Sequence, residues 1–134
     1  MLSVIIVEDS SLVRDRLREL IADIPLLSIV GEYDNAPAAT SALRQRGVDI
    51  VLLDLKLNGS DGLDVLRNAG ATLPSTTFIV FTNHTDKVYR RLSTQYGADH
   101  FFSKTHETEQ LRETLIALTK ISAGSNDPTL GSSD

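Results

Sequence analysis

Three carboxylates, a hydroxyl and an ammonium stand where apolar runs of this 134-residue chain come to an end. Leu2–Val7 runs into Glu8 and Asp9, and Val48–Leu53 runs into Asp54. Phe78–Phe81 ends on Thr82, and His100–Ser103 on Lys104. If these runs are strands of one parallel sheet, all five side chains meet at a single edge. Carboxylates gathered in this way repel one another and raise each other's pKa. A hard cation relieves that repulsion, and an all-oxygen set with open positions suits Mg²⁺. A hydroxyl can donate to a phosphoryl oxygen, and a lysine is a compact point charge for the same group. Taken together, the set is suited to a divalent cation and a phosphoryl group.

The elements that must position these residues follow from the period of the apolar residues, which switches repeatedly between strand-like and helix-like. Leu2–Val7 is β-branched and continuous, as a strand covered on both faces should be. Ser10 or Ser11 caps a helix whose Leu12, Val13, Leu17, Leu20, Ile21 and Ile24 form one stripe, ended by Pro25. Leu26–Tyr33 reads as a shorter second strand. Asn35 caps a helix with Pro37 in its first turn, and Gly47 ends it. Val48–Leu53 is the third strand, with Asp49 its only polar interruption. A loop from Asp54 to Asp61 leads to a short helix around Gly62–Asn68. Phe78–Phe81 is the fourth strand, followed by a helix that starts at Thr85 or Asp86 and ends near Gly97. His100–Ser103 is the fifth strand, and a last helix runs from about His106 to Ile121, with Glu107 and Glu109 favourable in its first turn.

Strict alternation of five strand–helix units implies an α/β fold with a parallel sheet and helices on both faces. Right-handed crossovers favour a doubly wound, flavodoxin-like (βα)5 sheet of order 2-1-3-4-5. Ligands of such sheets bind beyond the carboxyl ends of the strands where the order reverses, here between strands 1 and 3. Glu8, Asp9 and Asp54 leave those two strands, and Thr82 and Lys104 leave the neighbours.

Composition bounds the reading. The length fits one domain, expected over 1–122, with a Ser/Gly/Asn/Asp/Pro-rich tail over 123–134 expected to be disordered. A composition of 41% hydrophobic and 23% charged residues is that of an ordinary globular protein able to bury a core. The chain has no cysteine, so it carries no disulfide framework and no thiolate metal site. No apolar stretch approaches the roughly 18 residues of a membrane span, and no signal peptide is visible, which together suggest a cytoplasmic protein. A net charge of −5 argues against nonspecific nucleic-acid binding. Arg14, Arg16 and Arg18 are interleaved with Asp15 and Glu19 and read as a solvated helix face.

The residues resemble the receiver domain of two-component response regulators. The resemblance rests on Val4-Ile5-Ile6-Val7-Glu8-Asp9-Ser10 and on Ile50–Leu57 followed by Asp61-Gly62-Leu63. It continues in Phe78-Ile79-Val80-Phe81-Thr82 and in Gly97-Ala98-Asp99 with Phe101-Phe102-Ser103-Lys104. It covers about Leu2 to Ile121. It implies that Asp54 is the phosphoacceptor, taking a phosphoryl group from a sensor histidine kinase or a histidine phosphotransfer protein. Glu8, Asp9, Asp54 and the backbone carbonyl of Lys56 would hold Mg²⁺. Thr82 and Lys104 would bond the phosphoryl oxygens, and Phe101 would be the aromatic that turns inward as Thr82 moves. The output would be binding of a downstream effector protein, or a phosphorylation-dependent dimer, through helix 4, strand 5 and helix 5. No membrane contact and no direct nucleic-acid contact by this domain are implied.

Three residues depart from the family pattern. Asn58 stands where a proline is common, which predicts a less rigid loop. Thr105 replaces the frequent proline after Lys104, so a trans bond is expected, since a cis bond without proline costs about 2.5–4 kcal/mol. Asn83 is larger than the usual small residue after Thr82, which predicts narrowed access and slow phosphoryl hydrolysis. His84 reads as a solvated loop residue near the site entrance. His100 and His106 read as structural or exposed, and Asp61 and Asp64 as helix-start residues. The alternative to a free-standing switch is a receiver fragment of a longer DNA-binding transcription regulator. A phosphoryl-transfer enzyme of the haloacid-dehalogenase kind would want an aspartate where Lys56 stands. A flavin carrier would want a hydroxyl- and Gly-rich loop where Glu8 and Asp9 stand.

Overall fold

Continuous apolar runs make sense as strands only if both faces of the sheet are covered, and that is how the chain is built. A computed structural model describes residues 1–125. Its strands are β1 (Leu2–Val7), β2 (Leu27–Tyr33), β3 (Ile50–Leu53), β4 (Thr77–Thr82) and β5 (His100–Ser103). Every neighbouring pair is parallel, in the order β2-β1-β3-β4-β5. The helices between them are α1 (Ser11–Ala22), α2 (Ala36–Gln45), α3 (Leu63–Val65), α4 (Lys87–Gln95) and α5 (Thr108–Ser125). A π-helical turn, Leu66–Gly70, continues α3. The expected α/β sheet and its order are therefore observed.

Alternate strand residues feed two separate cores. Ile5, Val7, Val51, Leu53, Phe78 and Val80 pack with Ala39 and Leu43 of α2 and with Leu63, Val65 and Leu66 of α3 and its π turn. Val4, Ile6, Ile50, Leu52, Ile79 and Phe81 pack with Leu17 and Ile21 of α1 and with Leu111 and Leu115 of α5. Shifting any central strand by one residue would exchange its two faces, so this double burial fixes the register.

The caps follow the sequence closely. Ser10 accepts from the Val13 N–H at the start of α1, Asn35 from Ala38 at α2, and Asp86 from Tyr89 at α4. Other boundaries move. β2 is the longest strand, because an extra residue at Val30 bulges between the Val4–Ile29 and Ile5–Gly31 pairs. α5 runs on to Ser125, and residues 126–134 of the expected disordered tail lie outside the described residues. The segment expected as a loop after Asp54 closes instead as a small hairpin, Lys56–Leu57 against Ser60–Asp61. Its turn is Asn58-Gly59, with Gly59 at φ +67°, and an Asn-Gly pair is a strong short-range hairpin signal. Asn58 thus lies in a tied turn rather than a loosened loop, and the Ser60 hydroxyl anchors the hairpin by accepting from the Ala36 N–H at 2.9 Å.

At the opposite edge of the sheet, aspartates serve as clasps. Asp49 accepts from the Ser3 N–H at 2.8 Å and from the Ser3 hydroxyl at 3.1 Å, and Asp99 accepts from the Phe78 N–H at 2.9 Å. Each joins the entry of one strand to its neighbour. Removing such an acceptor leaves a part-buried N–H unpaired, which costs about 1–3 kcal/mol. Asp49→Ala is accordingly expected to lower unfolding stability by about 1–2 kcal/mol, read from the urea midpoint, while leaving the chemistry of the far edge intact.

Candidate functional site

At the carboxyl edge, the reversal of strand order between β1 and β3 leaves a crevice, and the backbone closes tightly around it. Asp54 N–H donates to the Val7 carbonyl at 3.0 Å, and Lys104 N–H donates to the Thr82 carbonyl at 3.0 Å. These bonds extend the ladders by one residue past each strand and aim the side chains of neighbouring strands at a common point.

Glu8 and Asp54 are buried and Asp9 is exposed, yet each of the three offers a carboxylate oxygen within 4.8 Å of the others. Lys104 reaches in from β5. Its Nζ lies 2.6 Å from Glu8 Oε1 and 2.7 Å from Asp54 Oδ2, with its side chain only 13% exposed. The second oxygens are used as well: Asp54 Oδ1 accepts from the Leu55 N–H at 2.7 Å, and Glu8 Oε2 from the Ser10 N–H at 3.0 Å. The Arg14 guanidinium donates to the Glu8 carbonyl oxygen at 2.7 Å and so fixes the backbone behind the cluster.

Burial and pairing pull in different directions here. Burial lifts the Glu8 carboxyl above its usual range; the bonds from Lys104 and Ser10 oppose the rise, and the Asp54 charge adds to it. For Lys104, burial works against the charge, but the bonds to Asp54 and Glu8 outweigh it and hold the ammonium above its ordinary value. Lys104 therefore stays charged at neutral pH. With all three acids ionised, three negative charges face one positive charge, leaving two uncompensated. A divalent cation matches that deficit, and an oxygen-only set with Asp9 open to solvent fits Mg²⁺, which keeps several waters. Lys56, the other expected metal-site residue, lies in the hairpin with its side chain exposed.

Thr82 is fully buried at the end of β4, and its Oγ1 accepts from the His84 N–H at 3.1 Å. That bond leaves the hydroxyl proton free to donate elsewhere. The His84 ring turns away to meet Tyr89 edge-on, at 5.9 Å between centroids. Asn83 and Thr105, two of the family departures, meet across the rim, where the Thr105 hydroxyl donates to Asn83 Oδ1 at 3.0 Å. No described peptide bond is cis, in keeping with the trans bond expected at Thr105. Phe101 is half-buried on β5, directly paired with Val80. His100 stacks on Phe102, His106 is exposed, Asp61 accepts from the Leu63 N–H, and Asp64 pairs with Arg67.

One residue matters more than its sequence signal suggests. A Cβ on Gly62 would stand 2.0 Å from the Asp54 carbonyl oxygen, while the Gly62 N–H donates to the Leu55 carbonyl at 2.8 Å. The chain thus folds back onto the backbone of Asp54 itself, and only glycine permits the approach. Gly62→Ala is expected to shift that backbone and cost about 2–3 kcal/mol in urea unfolding, within the usual penalty for overpacking. It should also weaken Mg²⁺ binding, measured by calorimetric titration.

Comparison with known proteins bears on the whole of this region. The family model described as "Response regulator receiver domain" matches residues 4–116. The chain is 32% identical over 104 residues to the response regulator UvrY of Escherichia coli K12, covering 78% of this chain and 48% of that protein. It is 30% identical over 124 residues to the nitrate/nitrite response regulator NarL of the same organism, covering 91% of this chain and 55% of that protein. The chain spans about half the length of these curated relatives. Among solved structures it is similar to a LuxR-family two-component response regulator from Aurantimonas sp. SI85-9A1, with a TM-score of 0.80, 25% identity and coverage of 88% and 84% of the two chains. It is also similar to a LuxR-family DNA-binding response regulator from Staphylococcus aureus, with a TM-score of 0.77, 25% identity and coverage of 86% and 96%.

Proposed function

This chain belongs to the response regulator receiver domain family, and from that membership we propose that it is a signalling switch phosphorylated on Asp54. The observation that carries the reading is the Lys104 ammonium held between Asp54 and Glu8, beside Asp9, in a cluster short of two positive charges. The donor would be a phosphohistidine on a sensor kinase or a phosphotransfer protein. An Asp54 oxygen attacks phosphorus, the P–N bond breaks, and the electron pair leaves with the histidine nitrogen. Glu8, Asp9, Asp54 and the Lys56 carbonyl would hold Mg²⁺, which would supply charge neutralisation on the transferring group. Lys104 already bonds an Asp54 oxygen, so a short movement lets it pair with a phosphoryl oxygen. Thr82 has its hydroxyl proton available for another.

The product places roughly −1.5 to −2 charge where one carboxylate stood. Thr82 is drawn toward it, and Phe101 turns into the space vacated beside β4. The altered face of α4, β5 and α5 then binds a downstream protein or a second copy of the chain. The domain assists its own phosphorylation and slow dephosphorylation but turns over no substrate, and it acts in the cytoplasm; among the described residues no helix is long and apolar enough to cross a membrane. A second reading is favoured by length. Because the curated relatives are about twice as long and the S. aureus neighbour is a DNA-binding regulator, this receiver would also fit as the control domain of a transcription regulator.

Incubation with phosphoramidate and Mg²⁺, followed by intact mass, is expected to show one phosphoryl adduct in the wild type and none in Asp54→Asn. An adduct retained in Asp54→Asn, or none in either, would remove the central claim. The decay of that adduct tests the rim. With Asn83 tied to Thr105, the half-life is expected to exceed minutes and to shorten several-fold in Asn83→Ala, on the order of 1 kcal/mol in barrier. A half-life of seconds, or one that Asn83→Ala leaves alone, would exclude a role for this pair.

A further inference from the structure

We propose that Arg90 on α4 is a positioning residue that latches the Phe101 ring in its unphosphorylated setting and so sets how readily the switch responds. The proposal rests on the reading above, in which Phe101 turns inward. Arg90 touches each piece that such a change would move. Its guanidinium carbon lies 4.6 Å from the centroid of the Phe101 ring. Its Nε donates to the Thr85 carbonyl at 3.0 Å, in the loop that follows Thr82. Its Nη2 stands 3.9 Å from Glu107 Oε1, the same oxygen that accepts from the Ser103 N–H at 2.9 Å on the way into α5.

One side chain therefore joins the loop after β4, the aromatic of β5 and the approach to α5. A guanidinium gains from an aromatic ring only while it lies over the ring face. Rotation of Phe101 into the interior removes that face, so the latched and turned states exclude each other. The contact energy then enters the switching equilibrium directly, because an interaction made in one state only shifts the balance toward it.

α4 is also held differently from the other helices that flank the sheet. α1 buries Leu17 and Ile21, and α2 buries Ala36, Ala39, Thr40 and Leu43. The only fully buried side chain of α4 is Ser93, whose hydroxyl has no hydrogen-bond partner. Tyr89, Leu92 and Tyr96 pack against the core only in part. A helix without a large buried anchor, and with an unpaired buried hydroxyl, is poorly fixed by packing. Its position is left to exchangeable contacts such as those of Arg90. Although its side chain is 45% exposed, Arg90 meets the ring, the loop before α4 and the approach to α5 at once.

The test uses the full chain with Arg90→Met, which keeps an apolar stem and removes the charge, and Arg90→Lys, which keeps the charge. Beryllofluoride with Mg²⁺ serves as the phosphoryl stand-in, and its half-saturating concentration is read by NMR alongside a urea midpoint for each protein. The latch predicts that Arg90→Met half-saturates at roughly two- to fivefold lower beryllofluoride than wild type, with Arg90→Lys between them. A merely structural role would lower the urea midpoint and leave half-saturation unchanged or raise it, and either result overturns the latch. A wild type that ignores beryllofluoride overturns the phosphoacceptor reading and the latch together. A responsive wild type matched by Arg90→Met overturns the latch alone.

Discussion

The electrostatics of three carboxylates converging where only one ammonium meets them govern the rest of this molecule. Burial and the neighbouring Asp54 charge push the Glu8 carboxyl up, and Lys104, bonded to both acids within 2.7 Å, opposes that rise. At such distances in a partly desolvated site, charges interact far more strongly than at a surface, and removing one partner leaves a charge that nothing screens. The arrangement is stable as it stands and still short of positive charge. That residual deficit suits the crevice to a divalent cation.

On the side of β1 and β3, the surroundings keep the geometry from relaxing. The sheet supplies direction, since parallel strands deliver all their carboxyl ends to one edge, and the two cores fix its register. The hairpin after Asp54 and the close return of Gly62 hold the backbone of that residue from below. Arg14 secures the Glu8 carbonyl from behind. The far side is built differently: the Thr82 hydroxyl is buried but accepts a single bond, from the His84 N–H, and α4 lacks a buried apolar anchor. One half of the site is braced by backbone contacts, and the other is held by fewer of them.

Much of this was legible from the residues. The apolar run of β1 read as a doubly covered strand and those of β3 and β4 as further strands, and the polar residue after each marked the edge. Asn35 and Pro37 announced α2, and the sheet order followed from alternation and handedness. The parts that escaped were those with too little sequence to carry a period. A hairpin of two-residue strands has none, although Asn58-Gly59 pointed to it. The bulge at Val30 changes the length of β2 without changing its composition. Asp49 and Asp99 look no different from Asp54 in a list of acids, yet they are strand clasps at the opposite edge.

The sequence by itself determined which chemical groups this protein has and the order in which strands present them, because both depend only on local period and on general rules of chain topology. Tertiary structure alone decided which groups pair and which stay open. Glu8 and Asp9 are adjacent and chemically alike, but one is buried against Lys104 and the other is left to solvent. Arg90 and Phe101 are eleven residues apart in the sequence (101 − 90), on different elements, and meet only because α4 packs beside β5. Burial, distance and pairing arise from how separate segments pack in three dimensions, and those quantities gather a scattered set of suitable residues into one candidate site.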